Sequence, residues 1–366
     1  MGEDMLNNNR LMLFISMSLL IIIGIIMIYS ASYIWADYKY GNSLKYVFNQ
    51  GIFTIVGYFL IYIILKLGPD FFYKYSKVFI IISFILLALV LVPGIGVVRN
   101  GSRIWFGIGS FGVQPSEFMK IAMIIFTAKF LSMKKKTKTL KSVLPVILVM
   151  LSSFGLIMLQ PDFGTGFILV SSIVLLLFIS GLNIKYFYMI GLLGIVCATT
   201  LILIAPYRLD RITSFLNPWS DPLGTGFQII QSLYAIGPGG IFGFGFLGSR
   251  QKHFYLPEPQ TDFIFSIICE EFGVFGALLI LLLFVAVIYF IIRLALKSDD
   301  LFCKYIIFGL GFQLIFQTLL NLSVVVGLIP VTGVTLPFIS YGGSSLLISM
   351  ISIGIILSIS GENKRG

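Results

Sequence analysis

Phe272-Gly273-Val274-Phe275-Gly276-Ala277-Leu278-Leu279-Ile280-Leu281-Leu282-Leu283-Phe284-Val285-Ala286-Val287-Ile288-Tyr289-Phe290-Ile291-Ile292 is the stretch that decides the fold. No charge falls between Glu271 and Arg293. As an α-helix the run is long enough to cross a hydrocarbon core of about 30 Å, which takes roughly 20 residues. Similar runs recur along the chain: Leu11–Ser32, Val47–Leu65, Lys77–Val92, Ser116–Ser132, Val143–Leu159, Gly164–Ser180, Phe187–Ala205, Phe263–Ile292, Tyr305–Val326 and Gly342–Ser360. In lipid every backbone polar group needs an internal partner, so such runs become helices. The expected fold is therefore all-α, a polytopic transmembrane bundle of about ten spans forming one integral membrane domain over residues 1–366.

Composition supports this class. Hydrophobic residues make up 58% of the chain and charged residues 11%, and the mean hydropathy is +1.02. A soluble chain of this length would need far more polar surface. The net charge of +10 does not imply nucleic acid, because Lys and Arg sit in short gaps between apolar runs rather than on one face. With the N-terminus in the cytoplasm, the inner segments carry Arg10, Lys66, Lys74, Lys77, the Lys134–Lys141 cluster, Lys185, Arg293, Lys297, Lys304, Lys364 and Arg365. The short outer loops carry Lys39, Lys45, Arg99 and Arg103. That bias follows the positive-inside rule and puts both termini in the cytoplasm. Ser30-Ala31-Ser32 resembles a signal-peptide cleavage site, but the preceding apolar stretch is too long and follows Glu3 and Asp4, so the first run reads as an uncleaved helix. Cys197, Cys269 and Cys303 lie in or beside apolar runs, which argues against a disulfide framework. A single histidine, His253, excludes zinc chemistry and Ser-His catalysis.

This orientation sends the two longest polar segments outward, Pro93–Pro115 and Pro206–Asp262, the latter a large loop between spans seven and eight. The turn Gln160–Phe163 also faces outward. The polar motifs gather there. Pro115 suits a first helical turn, Glu117 complements the macrodipole, and Lys120 falls within reach of Glu117 on one face. Read functionally, that pair and Arg103 would meet a diphosphate or sugar, the guanidinium fork matching phosphate oxygens. Asp162, in Gln160-Pro161-Asp162-Phe163, either caps the next helix or takes part in function. The outer loop holds Gln231-Ser232, a glycine-rich stretch, Ser249-Arg250-Gln251-Lys252 and Glu258-Pro259-Gln260-Thr261-Asp262. No Walker lysine pattern is present, so this is not a nucleotide loop.

Phe263–Ile292 exceeds what the hydrocarbon needs, so its first turns should project outward. That places Glu270 and Glu271 at the outer interface and Asp262 about 12 Å beyond them. Asp262 is open to three readings: an N-cap, a general base, or a metal ligand. Before the last run, Pro337-Phe338-Ile339-Ser340-Tyr341-Gly342-Gly343-Ser344-Ser345 allows close packing or ligand contact.

Together these motifs resemble the SEDS family (shape, elongation, division and sporulation) over essentially the whole chain, most specifically between Gly224 and Gly273. The wording from Ser249 to Phe265 is most like the division and sporulation branch. The resemblance implies a peptidoglycan glycosyltransferase that polymerises lipid II on the outer face of the cytoplasmic membrane and releases undecaprenyl diphosphate. It implies Asp262 as the catalytic carboxylate and possible metal ligand, with Arg103, Glu117, Lys120 and Asp162 needed for activity. The substrate-facing set is completed by Gln231, Ser232, Arg250, Lys252, Glu258, Thr261, Ser340 and Ser344. Arg103, Arg250 or Lys252 would supply positive charge to the leaving group. Relatives often carry His at the position of Gln260. A divalent cation, Mg or Mn, is the cofactor to expect, with no organic cofactor. The implied partners are lipid II, an undecaprenyl-linked glycan, a class B penicillin-binding protein, other division or sporulation membrane proteins and membrane lipid, with no nucleic acid. Two rival readings are a lipid II flippase, which calls for ionisable groups along a midplane path, and a non-catalytic scaffold, which has no need of Asp262.

Overall fold

The computed structural model describes residues 2–99, 102–108, 111–133, 139–204 and 206–361. Of the basic residues assigned to the inner face, Lys134, Lys135, Lys136, Lys138, Lys364 and Arg365 lie outside them. Each apolar run is helical: α1 (Gly2–Tyr40), α2 (Lys45–Ile64), α3 (Pro69–Leu91), α4 (Pro115–Ser132), α5 (Leu140–Met158), α6 (Phe163–Ile179), α7 (Lys185–Ile204), then, after α8 (Pro206–Leu216) and α9 (Phe227–Ile236), α10 (Ile264–Lys297), α11 (Leu301–Val325) and α12 (Gly343–Ile359). Among the described residues six helices are long and apolar enough to cross a membrane: Met5–Tyr40, Lys45–Ile64, Pro69–Leu91, Leu140–Met158, Ile264–Lys297 and Leu301–Val325. Phe163–Ile179, Lys185–Val196 and Gly343–Ile359 are shorter apolar helices.

Local chemistry sets the helix starts. Pro69 and Pro115 open α3 and α4, where a missing N–H leaves nothing unpaired. Asp162 caps α6 through Thr165 N at 3.1 Å, and Asp300 caps α11 through Cys303 N at 3.3 Å. The bundle packs α1 on α10, α2 on α12, α3 on α4, and α11 on α4, α6 and α10. Its interior is a continuous apolar core that includes Leu13, Met17, Met123, Ile307 and Met350. Outward-facing Ile55, Leu192 and Leu282 are exposed, as expected of a lipid-facing surface.

The segment after α3, expected only as an outer polar stretch, is a three-stranded antiparallel sheet: β1 (Val97–Arg99), β2 (Ser102–Ile108) and β3 (Phe111–Val113). The segment 206–262, expected as a large loop, is likewise partly helical, holding α8 and α9.

A straight helix through Phe263–Ile292 is not what forms. Helix α10 is broken at Gly273, which adopts φ 59° and ψ −152°. The break frees backbone groups that the glycine-rich stretch then satisfies. Phe244 N donates to Glu270 O at 3.0 Å and Gly245 N to Glu271 O at 2.9 Å. Val274 N donates to Gly240 O at 2.9 Å and Phe275 N to Ile241 O at 3.1 Å. The glycines thus serve a backbone-to-backbone seam rather than a flexible loop. Glu270 and Glu271 end up buried, at 2% and 0% exposure.

Candidate active site

One segment organises the polar motifs: the connection from α11 to α12. Asn321 Nδ2 donates to Val334 O at 2.8 Å and to Asp262 O at 2.7 Å, clamping the backbone of Asp262 to this connection. Ser340 Oγ donates to Thr261 O at 2.7 Å and accepts from Leu336 N at 2.9 Å. Tyr341 N donates to Gln260 O at 2.8 Å. Three consecutive residues, Gln260 to Asp262, are therefore held by one neighbour.

Asp262 does not cap α10. The N-cap position is Phe263, and no side chain caps it. The Asp262 carboxylate is half-buried, and a Cβ placed on Gly333 would lie 3.9 Å from its Oδ2. Burial, then the nearby negative charge of Glu258, push its carboxyl up to about 6, against the opposing pull of Arg211. Two acceptor oxygens in this neighbourhood, Gln260 Oε1 and Asn321 Oδ1, are buried without a partner. Buried acceptors of that kind call for a water, an ion or a ligand group.

The motif around α4 reaches the same connection by another route. Lys120 Nζ lies 2.9 Å from Glu117 Oε1, both side chains being almost fully buried. Lys120 also donates to Gln317 Oε1 at 3.1 Å, while Gln317 Nε2 donates to Thr335 O at 3.1 Å and Ser345 Oγ at 3.3 Å. Asp162 accepts from Gln114 Nε2 at 2.7 Å and Ser116 Oγ at 3.3 Å, in addition to capping α6. Its lack of a sequence neighbour is thus made good in three dimensions. Ser344 Oγ accepts from Gln114 N at 3.1 Å and donates to Gly112 O at 2.8 Å. A Cβ on Gly164 would meet Thr332 O at 2.9 Å, so α6 also presses on the connection. Glu117, Lys120, Asp162, Thr261, Asp262, Ser340 and Ser344, distant in sequence, belong to one polar assembly.

Other expected site residues are placed elsewhere. Lys252 is buried and pairs with Glu271 Oε1 at 2.8 Å; Ser30 Oγ donates to the same oxygen at 2.6 Å. Its charge is neutralised within the bundle rather than offered to a ligand. Glu270 accepts from Ser249 Oγ at 2.5 Å and from Arg250 N at 2.9 Å, closing the turn that carries Lys252. The Arg250 guanidinium lies over the Phe244 ring, 4.8 Å from its centre. Arg103, on β2, donates from Nη1 to Leu91 O at 3.4 Å. Ser232 Oγ donates to Val325 O at 2.7 Å and shares a 2.7 Å contact with Ser266 Oγ, joining α9, α10 and α11, while Gln231 is half-buried on α9.

Arg211 is the residue that sequence reasoning missed. It sits exposed on α8 and donates from Nη1 to Val331 O at 3.0 Å. Its signal was present as the amphipathic pattern of 206–216, a short helix inside a segment read as loop.

These features define a multi-span helical membrane protein with a carboxylate-centred polar site at one end of its bundle. The chain belongs to the FtsW/RodA/SpoVE family, described as cell cycle proteins, whose match covers residues 10–365. It is 50% identical over 352 residues to the stage V sporulation protein E of Bacillus subtilis (strain 168), covering 96% of each chain. It is 40% identical over 352 residues to the probable peptidoglycan glycosyltransferase FtsW of Coxiella burnetii (strain RSA 493 / Nine Mile phase I), covering 94% of each. A chain of a solved peptidoglycan synthase complex, studied for structural coordination of polymerization and crosslinking, superposes with a TM-score of 0.78 at 30% identity, over 95% of this chain and 96% of that one.

Proposed function

We propose that this protein is a peptidoglycan glycosyltransferase that polymerises lipid II at the outer face of the cytoplasmic membrane, during cell division or sporulation. The observation that carries the reading is Asp262: a half-buried carboxylate, clamped through its backbone by Asn321 and raised to about 6. A base in that range is ionised at neutral pH yet basic enough to take a proton in a transition state. The curated relatives named as glycosyltransferases support the same reaction class.

In the reaction, the 4-hydroxyl oxygen of a lipid II glucosamine forms a bond to the anomeric carbon of the growing chain. The bond from that carbon to the diphosphate oxygen breaks, with inversion. Asp262 takes the hydroxyl proton and undecaprenyl diphosphate leaves. Alternatively Asp262, with Glu258 near it, would hold a divalent cation, since Mg²⁺ binds through one or two carboxylates plus substrate phosphates. When bound, Mg²⁺ or Mn²⁺ would offset charge on the departing diphosphate. Glu117, Lys120 and Asp162 act through the α11–α12 connection, holding the wall on which Asp262 rests.

This reading carries the ten-span topology, with both termini in the cytoplasm and residues 206–262 outside between spans seven and eight. It also carries a class B penicillin-binding protein as the crosslinking partner, which the likeness to a chain of a peptidoglycan synthase complex supports. The test is polymerisation of purified lipid II by the full chain with that partner. Wild type should build glycan strands and Asp262→Ala should not. Strands of normal length from the Asp262→Ala protein would end the mechanism, and their absence from wild type would end the enzyme reading.

A further inference from the structure

We propose that the end of the bundle opposite Asp262 holds an anionic phospholipid, its phosphodiester on Arg10 and an acyl chain in the groove beside it. The groove has a volume of about 290 Å³ and runs between α1, the end of α2 and α12, lined by Asn7, Arg10, Leu11, Phe14, Leu65 and Leu357. Phe14 is held by Tyr58, which meets it edge-on at 5.9 Å between ring centres and donates to Ser18 Oγ at 2.9 Å. Leu11 and Leu65 are exposed, so the groove opens to the surrounding lipid.

Position along α1 sets the depth. Ser30 donates to Glu271 in the first turns of α10, the helix that follows Asp262. Arg10 lies roughly 20 residues earlier on α1, or about 30 Å, which is the thickness of the hydrocarbon. That is head-group depth on the other side, the leaflet that the positive-inside bias assigns to the cytoplasm.

Two donors at this depth have nothing to bind. Arg10 Nε and Asn9 Nδ2 are buried without a hydrogen-bond partner, and among the described residues no carboxylate pairs with Arg10. The guanidinium packs against the chain just past α12, where a Cβ on Gly361 would lie 2.7 Å from its Nη1. The carbonyl end of a helix favours a cation, yet that placement leaves the Nε unsatisfied. A groove of leucine and phenylalanine does not retain water, and a buried donor beside it needs an acceptor. Hydrocarbon joined to a phosphate meets both needs, because phosphate oxygens match the guanidinium fork. Exposed Lys66, which follows Leu65, favours a lipid of net negative charge over a zwitterionic one.

The test follows thermal unfolding of the full chain in detergent as phosphatidylglycerol, phosphatidylcholine or inorganic phosphate is added, with native mass spectrometry counting bound lipid. Phosphatidylglycerol should raise the midpoint saturably, phosphatidylcholine should act more weakly, and phosphate alone should do nothing. Arg10→Gln should weaken phosphatidylglycerol binding on the order of 10–100-fold, the loss of a charge-assisted bond, and Arg10→Lys should recover part of it. Leu65→Trp fills the groove and leaves Arg10 in place, so it should expel the lipid without touching the charge. Unchanged phosphatidylglycerol affinity in Arg10→Gln overturns the proposal. Equal binding of the two phospholipids does so too, since it marks a hydrocarbon groove alone, and binding of bare phosphate would mark an anion site with no lipid. Undecaprenyl monophosphate displacing phosphatidylglycerol at a lower concentration would give the groove to a polyprenyl lipid instead.

Discussion

Asn321 Nδ2 holds the backbone carbonyl of Asp262 at 2.7 Å and Val334 O at 2.8 Å, so a single buried amide joins the start of α10 to the α11–α12 connection. Both acceptors are main-chain atoms, so Asn321 fixes where the Asp262 carboxylate stands without touching it. Asn321→Ala removes both bonds and leaves two carbonyls unsatisfied in a largely dry setting. Stability should fall by about 1–3 kcal/mol, the usual penalty for stranding buried polar groups. Polymerisation should fall further than stability explains, because the base loses its register. Thermal unfolding in detergent alongside lipid II turnover checks this, and turnover within twofold of wild type would show that the clamp is dispensable.

The raised carboxyl of Asp262 sets the pH dependence. Its ordinary value of 3.8 is lifted to about 6, so the basic form is lost as pH falls through 6. With Asp262 acting as the base and no cation on its carboxylate, the turnover rate should be roughly halved near pH 6 and drop about tenfold per unit below it. Glu258 contributes to the lift as a like charge, so Glu258→Gln should move this limb to lower pH. A rate that stays flat between pH 4.5 and 7 would remove Asp262 from the proton transfer.

The helices were legible because apolar runs bounded by charge have few alternatives in a membrane. Asp162 at the start of α6 was legible as a cap because Asp followed by an apolar run is a local signal. Local reasoning left Asp262 open between a cap and a functional role; in the structure the chain there is still in a turn and the position that caps α10 belongs to Phe263. Glu270 and Glu271 looked like interface charges because helical spacing was extended through Gly273. Their burial depends on that break and on Lys252, a partner nineteen residues back that no periodicity reveals. The sheet at 97–113 escaped notice because its strands are short and its hydrogen bonds run between them. The central role of the α11–α12 connection, reached by Lys120 through Gln317 and by Asp262 through Asn321, is a long-range property that no stretch of sequence carries alone.

Lys252 and Glu271 form an ion pair in which both side chains are fully buried, with Ser30 Oγ accepting from Lys252 Nζ at 3.2 Å. Removing one partner leaves an uncompensated charge inside the bundle. Lys252→Met should therefore destabilise by about 3–5 kcal/mol, whereas Lys252→Met combined with Glu271→Leu should recover most of that loss, since apolar replacement of a buried pair is often neutral. A double-mutant cycle by thermal unfolding measures the coupling. Additive losses in the double variant would show that the pair is not the unit described here.

Gly273 separates the first turns of α10, which carry Glu270 and Glu271, from the long apolar helix that follows. With φ 59° and ψ −152° it occupies a region that L residues with a side chain avoid. A Cβ there would also press on Ile241 C at 2.5 Å and Gly240 O at 2.6 Å, the strand of backbone that completes the seam. Gly273→Ala meets both obstacles at once, and relief of either requires α10 to straighten or the glycine-rich stretch to retreat. Straightening would close the carbonyls of Glu270 and Glu271 into the helix and release Phe244 N and Gly245 N. Strain of about 1–3 kcal/mol is expected from the backbone alone. Hydrogen exchange should then show lost protection at Phe244 and Gly245. Gly41→Ala is the control, a glycine also at positive φ, 63°, but with nothing within 4 Å of its Cβ position. It reports the cost of a side chain at positive φ without the close approach. Equal stability losses in the two variants, with protection of the seam intact, would mean that the contact with Gly240 and Ile241 contributes nothing to holding the break.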